Sequence, residues 1–84
     1  MPRNESDQAR SVREWGENFY RVMGDHAAAS DRDIRRAIGY AEQVVWGEKQ
    51  KAQRGEAHSD TLIDDLEREV YGLLAILKTR EMRR

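Results

Sequence analysis

The 84-residue sequence contains no cysteine, only one proline and no long run of apolar residues. The lack of cysteine excludes disulfides and cysteine-ligated zinc, and it is typical of a reducing compartment. The single proline is Pro2, so proline interrupts no helix further along the chain. No stretch approaches the roughly 20 apolar residues that span a bilayer, and the first ten residues lack a signal-peptide core. We therefore expect a cytoplasmic protein without membrane association.

Net charge is also nearly absent, although charged residues are abundant. They make up 37% of the chain against 38% apolar residues, yet the formal net charge is −1. Disordered chains combine high net charge with few apolar residues, and nonspecific nucleic-acid binders carry a clear basic excess. Because neither pattern is present, the composition predicts one small folded domain, residues 1–84, built from long solvated helices.

Apolar residues at three- and four-residue intervals predict three helices, over about 5–23, 31–54 and 60–82. The segments between them are rich in glycine and polar residues. The three apolar stripes are Val12, Trp15, Phe19, Val22 and Met23; then Ile34, Ala37, Ile38, Ala41, Val44 and Val45; then Leu62, Ile63, Leu66, Val70, Leu73, Leu74 and Leu77. No strand is predicted, because the β-prone segment 70–77 continues the helical period.

Signals at the helix ends support this division. Candidate N-caps are Ser11 for the first helix, with Asn4 and Ser6 as earlier alternatives, Ser30 for the second, and Ser59, Asp60 or Thr61 for the third. Gly24 is a natural stop for the first helix, and Gly55 is the latest end of the second. Position 48 would continue the second stripe but is a glutamate, so the sequence leaves open whether 48–58 is helix or loop.

The predicted fold class is all-α, a three-helix unit in which helices 2 and 3 form an antiparallel hairpin. The stripe on helix 3 is wide enough to pack against two neighbours. A domain of this size buries only a modest core, and twofold dimers are the commonest way to cover surplus apolar surface. We therefore expect the unit to dimerise into a larger helical bundle.

Trp46 lies on helix 2 but outside its apolar arc. At about 3.6 residues per turn, its side chain emerges roughly 120–150° from the centre of that arc. Trp46 is therefore predicted to point away from the core, unless helix 1 folds across this face. Gly39 and Gly47 each cost about 0.8–1 kcal/mol relative to alanine in a helix. They indicate close approach of another helix, although Gly47 could instead end helix 2.

The favoured function is a non-enzymatic protein-interaction module without a cofactor. Tryptophan, tyrosine and arginine are enriched among interface hot spots. The predicted partner-binding residues are Trp46, Tyr40, Gln43, Arg35, Arg36 and Tyr71. We expect a small adaptor or inhibitor, of the kind that phages and plasmids encode, that binds and occludes a larger protein. Its first partner is expected to be its own copy, as a homodimer.

An alternative from another class is a DNA-binding regulator or antitoxin that uses the arginine-rich start of helix 2. The basic residues there are Arg32, Arg35 and Arg36, whereas Asp31, Asp33 and Glu42 would repel phosphates on neighbouring faces. Segment 24–30 is also long for the tight turn of a helix-turn-helix. This alternative is therefore ranked second.

A third alternative is a metal-dependent helical enzyme. Glu14 and Glu17 place two carboxylates on one side of a helix, an arrangement that holds magnesium in some helical enzymes. His26 and His58 lie in the two loops and do not form a metal-binding motif. Carboxylates near a helix N-terminus also complement the helix dipole, so the sequence predicts neither a metal site nor a catalytic residue.

Overall fold

The structure, a computed structural model, describes the backbone of residues 7–83 and the side chains of residues 10–83. It contains three helices: α1 (Asp7–Gly24), α2 (Asp31–Gln53) and α3 (Asp60–Met82). The all-α class and the three-helix division are confirmed, and residues 7–83 contain no strand. Residues 5 and 6, which the predicted first helix included, lie outside the described part of the chain.

The two serine caps of α2 and α3 are formed as the sequence predicts. The Ser30 hydroxyl accepts from the Asp33 backbone N–H at 3.1 Å, and the Ser59 hydroxyl accepts from the Leu62 backbone N–H at 3.1 Å. Each contact satisfies one of the backbone N–H groups that a helix start leaves unpaired. The two helix starts therefore follow from local chemistry alone.

Ser11 does not begin α1. The helix already runs from Asp7, so Ser11 lies within it, and this expected cap is wrong. The preceding residues include Gln8, Ala9 and Arg10, which are strong helix formers and extend the helix past the serine. The earlier candidate caps, Asn4 and Ser6, fall outside the described residues.

α2 continues past Gly47 to Gln53, and Glu48 explains why its apolar stripe stops earlier. The Glu48 carboxylate accepts from the Ser59 backbone N–H at 3.2 Å and pairs with the Lys51 ammonium at 3.0 Å. The hydrogen bond from Lys51, helped by the N–H of Ser59, holds the pKa of Glu48 below its ordinary value. Glu48 thus ties the end of α2 to the start of α3.

The α2–α3 turn closes at Gly55. This residue has a φ of 74°, in the left-handed region that glycine tolerates best. The Gly55 N–H donates to the Ala52 carbonyl at 3.1 Å, which satisfies one of the last carbonyls of α2. The chain then reverses into α3 as an antiparallel hairpin, which agrees with the prediction.

α2 is the central element, and the other two helices flank it. Contacts pair Gly16 with Tyr40 and Asn18 with Asp33, so α1 runs antiparallel to α2. α1 and α3 do not pack against each other in the described part of the chain. The buried apolar core consists of Phe19, Val22, Ile34, Ala37, Ile38, Ala41, Val45, Ile63, Leu66 and Leu73. Because α1 and α3 lie on either side of α2, the three helices form a layer, and one side of this layer carries exposed aromatic residues.

The three helices are held together at the end where α2 begins. Val22, Ile34 and Leu73, one from each helix, are the largest fully buried side chains. Where α2 begins, the Arg80 guanidinium donates to the Asp31 carboxylate at 2.8 Å. A second Arg80 N–H donates to a backbone carbonyl of the α1–α2 loop at 3.1 Å. Arg80 therefore links the end of α3 to the start of α2.

The apolar stripe of α1 is only partly buried, which corrects the prediction. Phe19 and Val22 are core residues, but Val12 and Trp15 are exposed. The reason is that, among the described residues, α1 packs on α2 alone, so Val12 and Trp15 have no second helix beside them. Leu74 of α3 is exposed for the same reason. Among the described helices, none has an apolar stretch long enough to cross a bilayer.

Candidate functional site

Trp46 projects from α2 into a groove between α2 and α3. Its side chain is 63% exposed, so the predicted direction away from the core is what the structure shows. Tyr71 of α3 lines the same groove and is 71% exposed. Val45 and Val70 also line this open groove of about 320 Å³. The structure thus brings together two of the predicted partner-binding residues from different helices.

Charged side chains border this groove. The Lys49 ammonium lies 3.5 Å from the Glu67 carboxylate, an exposed ion pair that bridges α2 and α3. Glu42 lines the same groove, one helical turn before Trp46. Exposed ion pairs contribute little to stability. Their significance here is that charges of both signs surround an aromatic surface.

A second groove, of about 410 Å³, lies between α1 and α2. Its apolar lining includes Val12, Trp15 and Val44, and its polar lining includes Gln43. Trp15 is 40% exposed there. The sequence assigned Trp15 to the core stripe of the first helix, so its place at this surface was missed.

Gly39 explains how Trp15 reaches α2. A Cβ atom built on Gly39 would lie 3.2 Å from the Trp15 Cζ3 atom, closer than ordinary van der Waals contact. The expectation that another helix approaches α2 closely at Gly39 is therefore confirmed, and that helix is α1. The pattern that could have revealed it is a tryptophan on one helix facing a glycine on the next.

The two grooves share one side of α2. Trp46 is seven residues after Gly39, so the two emerge within about 20° of each other around the helix. Gln43 lies between them and also borders Trp46 in a shallow depression. We call the surface formed by Trp15, Gln43, Trp46 and Tyr71 the aromatic face. Each helix contributes one aromatic residue to it.

Tyr40 has a more structural position than the sequence suggested. It is half-buried, and its ring lies 5.4 Å from the ring of Phe19. Its hydroxyl would lie 3.3 Å from a Cβ atom on Gly16, so that glycine gives the ring room. Tyr40 lines the groove beside Trp15 but mainly packs α1 against α2.

Gly47 does not end α2, and no atom of the described residues lies within 4 Å of a Cβ atom placed on it. The interpretation of Gly47 as a helix end is therefore wrong. The same open space surrounds Gly72 in α3. Neither glycine is required by packing within the described part of the chain.

The predicted residues Arg35 and Arg36 are exposed on the first half of α2 and do not line either groove. Two of the three acids expected to repel phosphate beside them, Asp31 and Asp33, are instead paired. Arg80 contacts Asp31 at 2.8 Å, and Arg21 lies 3.8 Å from Asp33. The start of α2 therefore presents less free negative charge than its sequence suggests.

The histidines and paired acids do not converge. Within residues 10–83, no group of three or more histidine, aspartate or glutamate side chains could hold a metal ion. Glu17, one of the two candidate carboxylates on α1, pairs with Arg13 at 3.1 Å. His58 Nε2 lies 3.1 Å from the Asp60 carboxylate. The backbone carbonyl of Glu56, with Asp60, raises the pKa of His58.

His26 lies in the α1–α2 loop and is half-buried. Its Nε2 atom is buried and has no hydrogen-bond partner in the structure. Its backbone carbonyl accepts from Arg80. The loop around His26 is thus held mainly through its backbone.

No family model, curated protein or solved structure matches the chain.

Proposed function

We propose that this chain is a non-enzymatic protein-interaction module, an adaptor or inhibitor that acts in the cytoplasm and occludes a larger protein. The observation that carries the proposal is the aromatic face. Trp15, Trp46 and Tyr71 come from three different helices and remain 40%, 63% and 71% exposed on one side of the molecule. Such a surface costs solubility, so a partner that covers it is the simplest reason for its presence.

The size of the face supports a protein partner. Aromatic side chains offer about 150–250 Å² each, so these three expose on the order of 350 Å² at their observed fractions. That area falls in the range of about 300–600 Å² that marks the largest apolar patch of a monomer, which is often functional. Tryptophan and tyrosine at the centre of a patch are typical hot spots, and the charged rim of Glu42, Lys49 and Glu67 is typical of interface edges.

The test is a comparative capture from lysate of the source cells. We expect a specific protein to be recovered by the wild-type chain and lost with Trp46→Ala and Tyr71→Ala. The matched control is Tyr20→Ala, because Tyr20 is also 71% exposed but lies outside the aromatic face. Circular dichroism verifies that every variant keeps its helices. Equal recovery by all four chains would refute the aromatic face as the docking surface.

A second candidate function, a DNA-binding regulator, is favoured by one observation at the start of α2. Arg32, Arg35 and Arg36 are exposed there, and no ion pair engages them within residues 10–83. The neighbouring Asp31 and Asp33 are paired with arginines of the flanking helices. An arginine cluster with its nearby acids neutralised is compatible with phosphate contacts.

A salt titration of DNA binding tests this candidate. Real phosphate contacts release counterions, so affinity for duplex DNA should fall steeply between about 50 and 200 mM salt. The double variant Arg35→Ala/Arg36→Ala should reduce that slope, whereas Trp46→Ala should leave it unchanged. No measurable binding at the lowest salt concentration would exclude the DNA-binding function.

A further inference from the structure

We propose that the aromatic face is first occupied by a second copy of this chain, with α2 packed antiparallel on α2 about a twofold axis near Trp46. This inference rests on the proposed function, because it names the occupant of the same surface. In the resulting dimer the aromatic face is hidden, so another protein gains access only by displacing the second copy. Self-association then regulates the docking surface.

The charges beside Trp46 are complementary to themselves. Glu42 lies four residues before Trp46 and Lys49 three residues after it, and both line the same groove. In an antiparallel pair centred near Trp46, Glu42 of each copy faces Lys49 of the other. A parallel pair would instead place like charges together. In a twofold interface the same surface of each copy must complement itself. The charges beside Trp46 meet this condition only when the two α2 helices are antiparallel.

Glu42 is available for such a contact. It is exposed and forms no ion pair within residues 10–83, whereas Lys49 has only the exposed Glu67 at 3.5 Å. An exposed pair of this kind is weak and leaves the ammonium free to contact a second carboxylate. The antiparallel arrangement also aligns the helix dipoles of the two α2 helices favourably.

The aromatic face supplies the central part of the area that a dimer interface requires. A stable interface buries about 800 Å² per partner. The aromatic face supplies on the order of 350 Å² of apolar surface. The surrounding polar side chains, including Gln43 and Glu42, would supply most of the rest. The aromatic residues would thus form the apolar centre of the interface, with a polar rim around them.

Sedimentation velocity between about 1 and 100 µM tests the proposal, because a dimer with a micromolar dissociation constant forms across this range. We expect the wild-type chain to shift from 9.8 kDa to twice that mass as concentration rises. Trp46→Ala should remain monomeric, and Tyr20→Ala should dimerise like wild type. A wild-type chain that stays monomeric at the highest concentration overturns the proposal.

Charge reversal tests the antiparallel geometry. Glu42→Lys alone and Lys49→Glu alone each place like charges across the twofold axis, so each should weaken dimerisation about tenfold or more. The double variant Glu42→Lys/Lys49→Glu restores opposite charges and should recover most of the affinity. Failure of the double variant to recover, with its helices intact by circular dichroism, overturns the antiparallel arrangement.

These measurements use the isolated chain and therefore separate the two proposals. A monomeric chain that still captures a protein through Trp46 would overturn the dimer and leave the proposed function in place. A dimer whose variants all capture the same proteins equally would support the dimer and overturn the proposed function.

Discussion

Replacing Gly47 by alanine should stabilise the chain, whereas the same change at Gly39 should not. Both glycines lie inside α2, so both positions gain the same helix propensity of about 0.8–1 kcal/mol on going to alanine. They differ in what the new methyl group meets. At Gly47 no described atom lies within 4 Å of it, but at Gly39 the Trp15 indole would lie 3.2 Å away.

The difference between the two variants can be worked out from this geometry. At Gly47 the full gain of about 1 kcal/mol should appear. At Gly39 the indole must move outward and lose contact with the α2 backbone, and overpacking of this kind costs about 1–3 kcal/mol. Gly39→Ala should therefore be less stable than Gly47→Ala by about 1–3 kcal/mol. For a domain of this size that is a difference of about 4 °C or more in Tm.

Calorimetry and urea unfolding at one fixed protein concentration measure the effect. Gly72→Ala, another change in open space, is a second control and should stabilise as Gly47→Ala does. When the comparison is repeated with Trp46→Phe, so that Trp15 is the one remaining tryptophan, the fluorescence should change only in Gly39→Ala. If all three alanine variants were equally stable, the packing of Trp15 over Gly39 would be refuted.

Two further predictions concern the polar contacts. Arg80→Met should destabilise the chain by about 2 kcal/mol, because it removes charge-assisted hydrogen bonds to Asp31 and to the α1–α2 loop. Urea unfolding measures this loss, and Arg83→Met, an exposed change in the same turn, should stay within about 0.5 kcal/mol of wild type. The pKa of His58 is raised by the Glu56 carbonyl and by Asp60, so folding favours the protonated imidazole. The contribution of His58 to the free energy of unfolding should therefore be complete below the ordinary pKa of 6.5. It should be lost as pH rises through the pKa of His58 in the folded state. The difference in urea midpoint between wild type and His58→Gln should therefore shrink as pH rises above 6.5, and a difference that grew with pH would contradict the assignment.

Much of the architecture could be predicted because its causes are local. Ser30 and Ser59 cap their helices through contacts only three residues away. The direction of Trp46 relative to the α2 core also follows from the number of residues per turn. The number of helices, the hairpin and the exposed position of Trp46 could therefore be predicted from the sequence.

The role of Glu48 could not be predicted in the same way. As an acid at an apolar position of α2, it suggested only that the stripe stops there. Its partner, the backbone N–H of Ser59, is eleven residues away across the turn. Only the folded hairpin brings the two together, so the length of α2 beyond position 48 was left open.

The aromatic face likewise depends on how the helices cross. Periodicity identifies Trp15 as a residue on the apolar side of α1. It does not show that, within the part of the chain that the structure describes, α1 packs on α2 and not on α3. That placement leaves Trp15 over Gly39, and the hairpin brings Tyr71 beside Trp46. The residue order determines which way each side chain points from its own helix, since backbone geometry is short-range. Which side chains become neighbours is decided by helix packing, since it depends on contacts between residues far apart in the chain.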